Sequence, residues 1–201
     1  MNPLNNHRHS LILGIVLALV LTVLIGGFHF NQLGLARWFH IVSGVFWIGL
    51  LYYFNVAQTP ALADAAADKG GPGGAGITKY VAPRALFWFR WAALATWLGG
   101  AWLLGSRFVG AFTLGYGIDD PTHYYLIIGI GAWLGTIMLL NVWGVIWPNQ
   151  KKILGIKPAS DEEKAKARKA AGMASRINFV LSIPMLMCMA AASHGLPLIG
   201  Q

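Results

Sequence analysis

Long apolar runs separated by short polar segments dominate the pattern of this chain. Five runs reach the length of about 20 residues that a helix needs to cross a bilayer. They cover residues 10–29, 35–58, 84–105, 122–147 and 174–194. The pattern predicts an all-α fold, in which residues 1–201 form a single transmembrane domain. This domain is a polytopic bundle of five transmembrane helices, with cytoplasmic loops at 59–83 and 148–173.

Composition supports the same class. Of the 201 residues, 56% are hydrophobic and only 11% are charged, whereas soluble domains carry about a quarter charged residues. The single cysteine, Cys188, lies in the last apolar run, which excludes a disulfide framework and a CxxCH site for covalent haem. We identify no internal sequence repeat.

Basic residues predict the orientation. Lysine and arginine concentrate in the loops after the second and fourth runs, and such loops stay in the cytoplasm. We therefore expect a multi-pass protein of the bacterial cytoplasmic (inner) membrane, with its N-terminus cytoplasmic and its C-terminus periplasmic. The net charge of +8 then reflects topology and contact with the lipid bilayer, and it does not indicate nucleic acid. Arg90, inside the third run, lies nearer the cytoplasmic side.

The two cytoplasmic loops differ in composition. The first contains the Ala/Gly-rich linker "ADAAADKGGPGGAGITK". In the second, Ser160 precedes three acidic residues and a later basic segment, a pattern typical of a capped surface helix that runs into the fifth span.

On this topology four histidines from four helices share the outer level of the membrane: His29, His40, His123 and His194. Histidine is also tolerated at a membrane interface, so His29, His123 and His194 are equally well explained as boundary residues. His40 lies deeper. At 100° per residue it shares an arc of about 80° with Arg37, Gly44, Trp47, Leu51, Asn55 and Gln58.

This stripe predicts a polar interior, because lipid cannot satisfy such groups. Asn141 in the fourth span and Asn178 in the fifth are further interior polar residues. His194 lies about 100° away from the Asn178 face, beyond a kink expected at Pro184.

Histidines at one level beside an arginine, with no carboxylate in any span, favour a cofactor over a cation pathway. Two histidines on facing helices can ligate haem b, with Arg37 near a propionate, and three imidazoles can hold copper or another transition metal. Spacing does not separate the two. The candidate cofactor residues are therefore His40, His194, His123, His29, Arg37 and Trp47, and the candidate metal ligands are His40, His194 and His123.

Three segments resemble the membrane domain of PuuD-type urate hydroxylases, which are cytochrome-linked urate oxidases. They are "RWFHIVSGVFWIGLLYYFN", "NVWGVIWPNQKK" and "SRINFVLSIPMLMCMAAASH". The helix of His40 is more distantly similar to HemJ and CopD membrane proteins. The resemblance carries over Arg37, His40, Trp47, Asn141, Asn178 and His194. The chain differs from that family in one respect. We expect it to be a short form without the C-terminal cytochrome c domain of those enzymes.

Two functional classes follow. The first is a haem b redox protein that passes electrons to a periplasmic cytochrome c and oxidises urate or another small substrate at the outer face. The second is a non-catalytic accessory subunit, with or without haem, of a larger respiratory or photosynthetic membrane complex. Whether the chain is an enzyme stays open at this point, with copper or porphyrin handling as a further alternative.

Overall fold

The computed structural model describes residues 2–197, and all regular secondary structure within that range is helical. The α-helices are α1 (His7–Gly26), α2 (Gln32–Tyr52), α3 (Thr59–Ala67), α4 (Ala82–Leu104), α5 (Phe108–Phe112), α6 (Tyr124–Leu140), α7 (Trp147–Ile153) and α8 (Asp161–His194). Three π-helical segments, Tyr53–Gln58, Ile77–Val81 and Asn141–Ile146, join or precede α-helices, and Pro3–Asn5 and Gly105–Arg107 are 3-10 turns. The all-α prediction is confirmed.

Four helical stretches are long and apolar enough to cross a membrane: His7–Gly26, Gln32–Ala67, Tyr124–Ile153 and Asp161–His194. The third predicted span is also helical, as α4. It is less apolar than the other four helical stretches, because Arg90 and four tryptophans lower its mean hydropathy. The five predicted helices are therefore present, and four of them have the apolar character of a membrane span.

The described residues form two compact units, with the boundary between Leu35 and Ala36. The N-terminal unit contains α1, which begins after Asn6, whose side chain accepts a hydrogen bond from the Arg8 amide. α1 is apolar on all sides and has no buried residue. Such a helix is stable in lipid, which solvates the apolar side chains on every face.

The second unit has one main core between α2, α4, α6 and α8. Trp47 and Leu51 of α2 pack with Phe89 of α4, Met138 of α6 and Met185 of α8. α6 and α8 share the most extensive interface of the unit. Gly131 of α6 permits their close approach, since a Cβ atom there would lie 3.0 Å from the Cβ atom of Cys188.

Each π-helical segment ends two residues before a proline: Pro60, Pro83 and Pro148. Proline lacks an N–H group, and its ring clashes with the carbonyl four residues earlier. In all three places the residue just before the proline donates to the carbonyl five residues back, for example Trp147 to Val142. The wider turn lets the helix continue past the proline.

These wider turns change two predicted boundaries. The second and fourth spans were expected to end at residues 58 and 147, yet both helices continue, as α3 and as α7. The predicted linker is helical over its alanine-rich part, and residues 68–74 form the non-helical connection. The predicted surface helix is confirmed: Ser160 and Glu163 form a reciprocal cap, and α8 then runs unbroken through Pro184 to His194.

A short ten-residue pattern recurs in two helices. "WIGLLYYFNV" (47–56) and "WLGTIMLLNV" (133–142) share Trp, Gly, Asn and Val at the same spacing. In the fold the two asparagines, Asn55 and Asn141, play matching parts, because each lies in a π-helical segment and donates to a side chain of α8. The repeat therefore corresponds to two similar helices that use α8 as a common partner.

Candidate functional site

His40 lies where α2 crosses α4, and its ring is half-buried. Its Nδ1 atom is 2.8 Å from the backbone carbonyl of Thr96. A carbonyl oxygen can only accept a hydrogen bond, so the proton belongs on Nδ1 and the lone pair on Nε2. Nε2 has no hydrogen-bond partner among the described residues. A neutral histidine held in this way can accept a hydrogen bond or ligate a metal through Nε2, while its other nitrogen fixes the ring.

Two glycines of α4 leave room for this histidine. A Cβ atom on Gly99 would lie 3.2 Å from the His40 Cα atom, and one on Gly100 would lie 3.0 Å from the His40 Cε1 atom. Gly99 thus allows the two helix backbones to approach, and Gly100 leaves space for the ring itself. We call His40, the Thr96 carbonyl, Gly99 and Gly100 the imidazole site.

The rest of the predicted stripe is oriented inward, except for Arg37 at its first position. Trp47 is 2% exposed, and its indole Nε1 atom is buried with no acceptor among residues 2–197. The Oε1 atom of Gln58 is also buried without a donor in that range. Asn55 donates to Ser175 of α8 at 2.9 Å. Arg37, three residues before His40, is exposed.

A second polar cluster joins α6 to α8. Asn141 donates through Nδ2 to the Oδ1 atom of Asn178 at 2.9 Å, and Asn178 donates in turn to the Met138 carbonyl, also at 2.9 Å. Asn178 is fully buried. We call these three residues the amide cluster. Both asparagines were predicted as interior polar residues, and the cluster gives them one shared role in holding α6 against α8.

The other candidate histidines lie at helix ends. His123 precedes α6, and His194 is the last residue of α8; both are exposed. Ile127 of α6 packs with Cys188 and Ala191 of α8, so these two histidines belong to the same end of the helix pair. His29 is exposed in the N-terminal unit. Among residues 2–197, no three histidine, cysteine, aspartate or glutamate side chains gather as a metal-binding cluster.

The backbone of His123 is left-handed, with φ of 56°, a conformation that is uncommon for residues other than glycine. Asp120 holds this turn. Its carboxylate accepts hydrogen bonds from the amides of Tyr124 and Tyr125 at 3.0 and 2.7 Å and from the Thr122 hydroxyl. Partial desolvation raises the pKa of the Asp120 carboxyl, but these hydrogen bonds together outweigh it and lower the pKa below its usual value.

Sequence reasoning missed the partners of the predicted residues. Thr96 contributes a backbone carbonyl, which its residue type does not reveal. Gly99 and Gly100 form a "WLGGAW" segment in a predicted span, and adjacent glycines in a membrane helix could have indicated a close contact. The 3.2 Å hydrogen bond between the Ser182 and Tyr52 hydroxyls was not predicted either.

The fold and the buried polar groups define a helical protein of membrane-spanning character. A family model described as urate oxidase N-terminal matches residues 122–198. The match covers less than half of the chain and includes His123, Asn141, Asn178 and His194, whereas Arg37 and His40 lie outside it. It supports a relation to urate-oxidase-type proteins. No curated protein and no solved structure matches the chain.

Proposed function

We propose that this chain is an integral membrane redox protein that binds haem b through His40 and passes electrons to a periplasmic cytochrome. The observation that carries the proposal is the contact between His40 Nδ1 and the Thr96 carbonyl. It fixes the tautomer that leaves Nε2 free to ligate iron. When bound, haem supplies one-electron chemistry.

Other residues of this chain would complete the site. We propose His194 as the second residue that would hold haem, ahead of His123, because His194 also belongs to a segment shared with the similar enzymes. Arg37 is exposed one helix turn before His40, so its guanidinium is free to pair with a propionate. Gly100 keeps the space beside the imidazole open. Trp47 offers a buried N–H group without an acceptor in the described part of the chain.

The substrate to test first is urate. The matching family model is named for urate oxidase, and the resemblance of the His40 helix leads to the same substrate class. His40 and His194 would hold haem near the outer face, where it would supply one-electron chemistry between that substrate and a separate periplasmic cytochrome c.

The orientation is part of the proposal. Lys151 and Lys152 end α7, and Lys164, Lys166, Arg168 and Lys169 lie in the first half of α8, so we assign this basic end of the bundle to the cytoplasm. A reporter inserted near Gly73 should be cytoplasmic. A reporter after Gln201, which lies outside the described residues, should be periplasmic. Finding both reporters on one side of the inner membrane would contradict the shared outer level of the histidines.

Haem binding is tested with protein purified from its native membrane. A pyridine haemochrome assay together with metal analysis should find haem b in the wild type and none in His40→Ala. His9→Ala is the matched control, because His9 lies in the first turn of α1, away from the predicted outer level, and this variant should keep full haem. Copper without iron, or haem retained by His40→Ala, would contradict the proposal.

The alternative function is an accessory subunit of a larger membrane complex. The exposure of His123 and His194 at helix ends favours it, because both then resemble boundary residues more than ligands. A folded protein that carries neither haem nor copper and copurifies with respiratory or photosynthetic subunits would support this alternative.

A further inference from the structure

Arg90 is a charged residue inside α4 that the proposed redox function does not use. Its guanidinium Cζ atom lies 3.8 Å from the centroid of the Trp147 ring and 5.2 Å from that of Phe87. Stacking of this kind satisfies only the face of the guanidinium. The N–H groups at its edge form no hydrogen bond or ion pair with any of the described residues. These donors therefore need an acceptor from outside the chain.

A second cation shares the same indole ring. The Nζ atom of Lys151 lies 5.9 Å from the Trp147 centroid. The adjacent Lys152 already has a carboxylate partner, since its Nζ atom is 3.9 Å from Glu163. Within residues 2–197, neither Arg90 nor Lys151 has a carboxylate at ion-pair distance. Two like charges beside one ring repel each other, and a shared anion would relieve that repulsion.

The depth of this pair indicates which anion is available. Trp147 ends the apolar run of the fourth span, and Pro148 and the polar residues 149–152 follow it directly. Tryptophan at such a border lies at the level of lipid headgroups. Because Arg90 stacks on Trp147, its guanidinium shares that level although it is the ninth residue of α4. At this level the phosphate of a phospholipid is the abundant anion.

We propose that Arg90 of α4 and Lys151 of α7, which both lie beside the Trp147 ring, bind the phosphate group of an anionic phospholipid at the basic end of the bundle. The lipid would connect α4 to α7 and neutralise both cations. Arginine suits this role because its planar edge donates two parallel hydrogen bonds to a phosphate. The site is independent of haem and of the imidazole site.

Native mass spectrometry of the detergent-solubilised full chain tests the proposal. The protein is titrated with phosphatidylglycerol, with zwitterionic phosphatidylcholine and with inorganic phosphate. Wild type should bind phosphatidylglycerol in preference to the other two. Arg90→Gln and Lys151→Gln should each weaken that binding about fivefold, the factor expected for one cation near an anionic headgroup. Arg84→Gln is the matched control, because Arg84 is an exposed arginine of the same helix, and it should bind like wild type.

Each other outcome overturns the proposal. Equal binding of phosphatidylglycerol by wild type and by both glutamine variants would mean that the pair holds no lipid. Inorganic phosphate binding as strongly as the lipid would identify a site for free anions instead. If Arg90→Gln lowered the unfolding temperature but left lipid binding unchanged, the arginine would serve only to pack α4 against Trp147.

Discussion

The amide cluster and the imidazole site lie in the same bundle, but they differ in how completely their polar atoms are paired. Asn141 directs its amide donor at the Asn178 carbonyl oxygen, and Asn178, which is fully buried, directs its own at the Met138 carbonyl. His40 uses one ring nitrogen and keeps the other free, and the buried Trp47 indole has no acceptor among residues 2–197. Paired polar groups hold helices together, whereas unpaired ones remain available to a ligand.

The largest effect should come from closing the gap between the helices at the imidazole site. Gly99→Ala places a Cβ atom 2.9 Å from the Phe39 ring and 3.2 Å from the His40 Cα atom, so the α2 backbone must move. Overpacking of this kind costs about 1–3 kcal/mol. We expect a loss of this size in the free energy of unfolding, measured by circular dichroism in detergent with rising dodecyl sulfate, together with loss of haem.

Gly49→Ala is the control for this change, since a Cβ atom there has no neighbour within 4 Å. Its stability should equal or slightly exceed that of wild type, because alanine favours the helix more than glycine does. If both variants lost the same stability, the close contact between α2 and α4 at Gly99 would be contradicted.

The amide cluster should respond in stability alone. Asn178→Ala removes the acceptor of Asn141 and the donor to Met138, and it leaves the Asn141 amide unpaired. An unsatisfied buried group costs about 1–3 kcal/mol, and we expect the lower part of that range because Asn141 is only half-buried. The haem content per folded protein should not change. A selective loss of haem in Asn178→Ala would remove the distinction between the two regions.

A smaller effect is expected at Asn55, the counterpart of Asn141 in the repeated segment. Asn55→Leu removes the hydrogen bond to Ser175 and a local one to the Leu51 carbonyl. Interhelical hydrogen bonds in membranes average about 0.6 kcal/mol, so the free energy of unfolding should fall by about that amount. A loss as large as that of Asn178→Ala would mean that the two helices of the repeat contribute equally.

Local sequence patterns predicted what depends on local chemistry. Apolar runs gave the helices, the spacing from His40 to Gln58 gave an inward face, and Ser160 with Glu163 gave the start of α8. Pro60 and Pro148 follow the expected span ends at 58 and 147, yet both helices continue, because a π-helical turn can carry a helix past a proline. The Thr96 carbonyl could not be predicted, since every residue has the same backbone acceptor and only tertiary packing selects one.

The smallest expected effect concerns the turn that holds His123 at the end of the amide-cluster helix. Asp120 caps α6 through the amides of Tyr124 and Tyr125, and its pKa is lowered in the folded chain. A carboxyl with a lowered pKa stabilises the fold fully above its unfolded pKa, near 3.8, and this contribution is lost as the pH falls through the folded value. Asp120→Asn should therefore unfold at a slightly lower temperature than wild type at pH 7. The difference should shrink as the pH falls below 3.8, in melts followed by circular dichroism.

Asp119→Asn is the control, because Asp119 is exposed and makes no hydrogen bond through its side chain among the described residues. A difference between Asp120→Asn and wild type that stayed constant down to the lowest pH would show that the carboxylate charge does not hold this turn, and His123 would then need another source for its left-handed backbone.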